Sequence, residues 1–182
     1  MSVVDSELFR TDVLKRAVDA ALSAPAFPQA AVDAALHADG VCNGRSPSVS
    51  AAQRAAVREA AAVIATYRAA YEREHGDGAH DTAYQRVLYQ LCGCHILLGE
   101  PVLARTRLEA LARQLRPPRA CSTMGRPSKA QLELNVDVLG SLQWLCRVQG
   151  GAANSEDAGH RGVSQRYGRW REETLARLSG ST

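Results

Sequence analysis

Between Ser50 and Gly76 the chain carries neither proline nor glycine, and the run opens with Ser50 and Gln53 in the spacing of a capping box. That pattern predicts one long helix. Ala56, Val57, Ala60, Val63, Ile64, Tyr67 and Tyr71 recur at three-and-four spacing and make an inward face. Arg54, Arg58, Glu59, Arg68, Glu72 and Arg73 are then left to solvent. A helix this long, with an apolar stripe, needs other helices against it, and the rest of the chain supplies them.

Upstream, Leu8, Phe9, Val13, Leu14, Ala17, Val18 and Ala21 trace a helical stripe from Asp5 to Leu22 that ends at the Pro25 and Pro28 turn. Pro28 suits the start of a short second helix running to Gly40. Downstream, Asp81 or Thr82 can cap a helix that Gly99 stops, and Pro101 fits the start of another that ends near Pro117. A further helix is capped by Ser128 with Gln131, and a last one covers His160 to Leu178 with Gly162 and Gly168 weakening its first half. Glycine, proline, serine and asparagine gather near 39–49, 117–127 and 150–160, which read as loops. The expected fold is all-α: a single domain over residues 1–182, about seven helices, stacked as antiparallel hairpins in an α-solenoid or irregular helical array.

Composition agrees with this and narrows the function. Hydrophobic residues make up 46% of the chain, much of it alanine, and aromatics only 5%, a balance suited to close helix contacts. The net charge of +3 comes from 22 basic and 19 acidic residues, too even to announce a nucleic-acid or membrane-surface protein. Five cysteines, Cys42, Cys92, Cys94, Cys121 and Cys146, form no disulfide framework, and the N-terminal stretch lacks the apolar run of a secretory leader. No segment reaches the ~18 apolar residues of a membrane span. These features point to a soluble, intracellular protein in a reducing compartment, the cytoplasm or an organelle matrix such as the mitochondrial one.

The passage Leu91–Leu115, LCGCHILLGEPVLARTRLEALARQL, combines two cysteines, a histidine and a Gly-Glu-Pro break. Residues two apart on a helix point to different sides, so Cys92 and Cys94 cannot both face one ion, and no second pair supplies the remaining ligands of a tetrahedral metal site. Packing explains them better than metal or redox chemistry. Counting back from Gly99, Cys92 falls at a small position, Leu88 and Leu91 at core positions and His95 where an aromatic is usual. Counting forward, Ala104, Leu108 and Leu111 take second-helix packing positions, with Pro117 closing the unit. Over residues 82–117 this resembles a tetratricopeptide-type, or pentatricopeptide-like, helical repeat in degenerate form. The early tryptophan and later tyrosine of that pattern are missing. The resemblance implies close approach of two helices, Cys92 against Ala104.

No GxSxG elbow, HExxH, Walker pattern or carboxylate pair is present, no cofactor is implied, and Cys121, between Arg119 and Arg126, is the one thiol in electropositive surroundings. Two basic clusters stand out instead. Arg105, Arg107, Arg113, Arg116, Arg119, Arg126 and Lys129 face one acid, Glu109. Arg166, Tyr167, Arg169, Trp170 and Arg171 mix guanidinium with aromatic groups, the combination enriched at interface hot spots. The resemblance to helical repeats implies a non-enzymatic protein-interaction scaffold or adaptor, a subunit of a larger complex, whose partner presents an acidic surface. Arg105, Arg113, Arg116, Arg119, Arg126, Tyr167, Arg169 and Trp170 are the expected contact residues. The alternative is a nucleic-acid-binding repeat using the arginines of 105–129 on phosphates.

Overall fold

The structure, a computed structural model, describes residues 11–37, 48–76, 81–115, 127–151 and 158–180. It is all-α, with no strand among the described residues. The helices are α1 (Thr11–Leu22), α2 (Gln29–Leu36), α3 (Ala51–His75), α4 (Thr82–Leu97), α5 (Pro101–Leu115), α6 (Lys129–Gly151) and α7 (Ala158–Ser179). Local chemistry sets most of the boundaries. Ser50 Oγ accepts from the Gln53 N–H at 3.2 Å while Gln53 Oε1 accepts from the Ser50 N–H at 2.9 Å. Ser128 and Gln131 repeat both bonds at the start of α6. Asp81 caps α4 through the Ala83 N–H at 2.9 Å.

The α4–α5 corner is closed by backbone geometry. Gly99 has φ 79°, and the Glu100 N–H reaches the His95 carbonyl at 2.8 Å while the Gly99 N–H reaches Ile96 at 3.1 Å. These are the two bonds of a Schellman ending, which a left-handed glycine makes accessible. Pro101 then opens α5 with no N–H to satisfy. Cys92 and Ala104, the small residues expected to let the two helices approach, are both buried.

From α3 onward each helix is in contact with the next, as consecutive hairpins require. The first two do otherwise. The principal neighbour of α1 is α3, and that of α2 is α4. With eight residues α2 has too little surface to make a hairpin core with α1, and it buries Val32, Ala35 and Leu36 in the larger seam beside α4. Helix also extends past the expected ends of the 150–160 loop, to Gly151 and from Ala158, and continues through Gly162 and Gly168. Packing of α6 on α7 overrides the weak propensity of those glycines. The loops near 39–49 and 117–127 fall almost entirely outside the described residues.

The core runs through α4. Leu91, Cys92, Gly93, Cys94, His95, Ile96 and Leu97 are all buried, so this half of the helix has no solvent face. On the α2 side the fit is tight enough to require glycine: a Cβ on Gly93 would stand 2.7 Å from Val32 Cγ1 and 3.0 Å from Leu36 Cδ1. Hydrogen bonds from Ser141 and Tyr89 also cross this seam. Ser141 of α6 donates to the Leu36 carbonyl at the end of α2 and shares a 2.8 Å bond with Tyr89 of α4, giving a buried helix end a partner. A stack of Tyr71 on Tyr84, with ring centroids 3.9 Å apart, joins α3 to α4, and Tyr67 meets Tyr84 edge-on.

Gly93→Ala is expected to destabilise the fold by about 1–2 kcal/mol, because overpacking against the stiff Val32 exceeds the ~1 kcal/mol that alanine adds to a helix. Gly162→Ala, where nothing lies within 4 Å of the added carbon, should raise stability. Urea denaturation of both variants checks the contrast.

Candidate functional site

The cysteine-histidine passage is core. The Cys92 thiol donates to the Leu88 carbonyl at 3.2 Å, and burial pushes the thiols of both Cys92 and Cys94 up to about 12. Cys146 is buried as well and its thiol is raised for the same reason. At neutral pH all three are protonated and poor nucleophiles or ligands. His95 Nδ1 lies 2.7 Å from Glu100 Oε2. A carboxylate can only accept, so Nδ1 carries the proton. Burial lowers the imidazole below its ordinary value, against the pull of Glu100, and the Arg107 charge lowers it further. Among the described residues no three His, Cys, Asp or Glu side chains gather as a metal site. Cys42 and Cys121 lie outside the described residues.

One described residue of each basic cluster, Arg105 and Tyr167, meets Glu109 at one edge. Glu109 on α5 holds Arg105, one turn back, with Nε–Oε1 3.0 Å, and the same oxygen accepts from Tyr167 Oη of α7 at 3.2 Å. That bond spans 58 residues of sequence. Arg113 Nε donates to the Glu109 carbonyl at 3.2 Å and is otherwise exposed. Next to Tyr167, Trp170 meets it edge-on with centroids 5.9 Å apart, and the Arg166 guanidinium lies over the Trp170 ring at 5.7 Å. Trp170 is half-buried and Arg169 exposed. Tyr167, by contrast, is only 5% exposed, and Arg105 is half-buried against Glu109: both are placed to hold α7 on α5. Arg116, Arg119 and Arg126 lie outside the described residues.

A second feature is a cleft of about 280 Å³ between α3, α4 and α5. Its walls are leucines, among them Leu88, Leu91, Leu103 and Leu111, and its polar groups include Arg68, Glu72 and Arg107. Arg68 Nε pairs with Glu72 Oε1 at 2.8 Å, and Tyr84 Oη donates to the same oxygen at 3.2 Å. Neither Arg68 nor Glu72 is the solvated side chain that the helix pattern predicts; each is half-buried. Arg107 is half-buried too, and its Nε is buried without a hydrogen-bond partner among the described residues. Burial and the like charge of Arg68 hold its pKa below the ordinary guanidinium value. The signal in the sequence is slight: Arg68 borders the stripe of Ile64, Tyr67 and Tyr71, where a long side chain can lay its stem on apolar surface. Nothing local joins it to Arg107.

Comparison with known proteins finds no match: no protein-family model, curated protein or solved structure is similar to this chain at a significant level. Among the described residues no helix is long and apolar enough to cross a membrane.

Two measurements probe the buried groups. Iodoacetamide at neutral pH should leave Cys92, Cys94 and Cys146 unlabelled in the folded protein and modify them on unfolding, read by peptide mass spectrometry. For His95, the folded pKa lies below the unfolded value, so the unfolded chain takes up the proton first as pH falls. Its contribution is therefore complete above about pH 6.5 and is lost as pH drops through the folded value. His95→Leu should lose less stability between neutral and mildly acid pH than the parent protein, measured by urea midpoints.

Proposed function

We propose that this chain is a protein-interaction scaffold or adaptor, with the α4–α5 hairpin a degenerate tetratricopeptide-like unit and the chain an accessory subunit of a larger assembly. Its partner presents an acidic surface to the α5–α7 edge. One observation carries the reading: Glu109 joins Arg105 of one basic stretch to Tyr167 of the other, from distant parts of the sequence. Arg113 is exposed there, Trp170 is backed by Arg166, and Arg169 is exposed on α7. Arginine and tryptophan are the side chains that most often carry binding energy at protein interfaces, and guanidinium groups pair with carboxylates in a fixed fork. The protonated state of the described cysteines gives no support to a thiol-based enzyme.

The double variant Arg113→Glu with Arg169→Glu changes two exposed side chains and should leave the fold intact. Affinity capture with mass spectrometry should then show loss of partners held by the parent protein, with an affinity drop of about tenfold or more from like-charge contacts. An unchanged partner set would refute the edge as the contact. Capture that disappears on nuclease treatment and falls steeply with salt would instead establish the phosphate-binding alternative.

A further inference from the structure

The cleft between α3, α4 and α5 lies apart from that edge. We propose that it is a binding site for a small amphipathic monocarboxylate, whose apolar chain lies on the leucine walls and whose carboxylate meets the Arg107 guanidinium.

Three properties of the site lead to this class of ligand. The first is charge. Arg68 and Glu72 neutralise each other at 2.8 Å, and Tyr84 adds a second donor to that carboxylate. Arg107 makes no hydrogen bond or ion pair with any described residue, and its Nε is buried. A half-buried guanidinium whose Nε has no partner is left short of hydrogen bonds, and a carboxylate accepting its fork of N–H groups would supply them. The charged lining, Arg68, Arg107 and Glu72, carries one net positive charge, which matches one carboxylate; a doubly charged phosphate would need Arg68 as well, which Glu72 already holds. The second property is the lining. Leu91 and Leu111 form a buried floor, and Leu103, 39% exposed, stands at the rim. An apolar body in the recess would cover Leu103. The third is size. About 280 Å³ is nearly twice the ~150 Å³ cavity that holds a benzene ring, and close to the lower end of small-molecule pockets. A peptide groove would repeat its pockets along an element, whereas here there is one recess with one net positive charge.

The test is isothermal titration of the full chain with decanoate, and with decanol as the uncharged probe of the same length. Saturable binding of decanoate at one site is expected, with decanol weaker. Arg107→Met keeps the apolar stem and removes the charge; it should weaken decanoate by about tenfold or more, the worth of a charged hydrogen bond, and leave decanol nearly unchanged. Because it removes a half-buried guanidinium whose Nε has no partner, the same variant should melt at the parent's temperature or above. Leu103→Glu, at the exposed rim, sets an acid beside the ligand and should also weaken decanoate; it serves if Arg107→Met does not fold. No saturable decanoate binding, equal affinity for decanoate and decanol, or a variant series that leaves decanoate affinity unchanged would overturn the proposal. Loss of a captured protein partner on Arg107→Met, without decanoate binding to the parent, would assign the cleft to that partner and overturn it as well.

Discussion

The burial of α4 on every side is the constraint from which the arrangement of the other helices follows. Its second half, Leu91 to Leu97, has no exposed residue, and α2, α3, α5 and α6 all lie against it. Four neighbours can surround one helix only where its side chains are small, and Cys92, Gly93 and Cys94 occupy consecutive positions at that point. Gly93 admits α2; Cys92 is buried, as are Ala104 and Leu108 of α5. The cysteines are there as compact apolar groups, and their raised thiol pKa values follow from the same burial.

Polar groups in the seams use one device twice. Glu72 on α3 and Glu109 on α5 each take Nε of an arginine one turn back and the hydroxyl of a tyrosine from another helix, on a single oxygen. Within a helix, an arginine-glutamate pair at this spacing contributes a few tenths of a kcal/mol when exposed; half-buried, with a tyrosine donor added, it also fixes which helix packs beside it. Both tyrosines are raised in pKa, by burial first and then by the carboxylate beside them. The two glutamates thus hold the walls of the α5–α7 edge and the α3–α4–α5 cleft.

Much of the fold is legible in the residues taken in order. The capping boxes at Ser50 and Ser128, the Asp81 cap, and the Gly99–Pro101 corner are local chemistry, and the structure has them where the spacing predicts. The inward face of α3 is likewise a matter of period. The functional features are less so. Tyr167 reads as an exposed hot-spot residue when only its arginine-rich neighbours are considered, yet Glu109 draws it inside. Arg68 and Glu72 read as solvated because a helix stripe has two borders, and periodicity does not say which border another helix will cover.

The sequence by itself determined the class of fold, the ends of most helices and the tight corner after α4, because each depends on groups within a few residues of one another. Only the tertiary structure decided that α2 seats on α4 through Gly93, that Arg107 comes beside the Arg68–Glu72 pair, and that Glu109 joins Arg105 to Tyr167. Those outcomes rest on contacts between side chains far apart in the chain, whose partners are chosen by shape and burial in the assembled core and leave no periodic mark in the sequence.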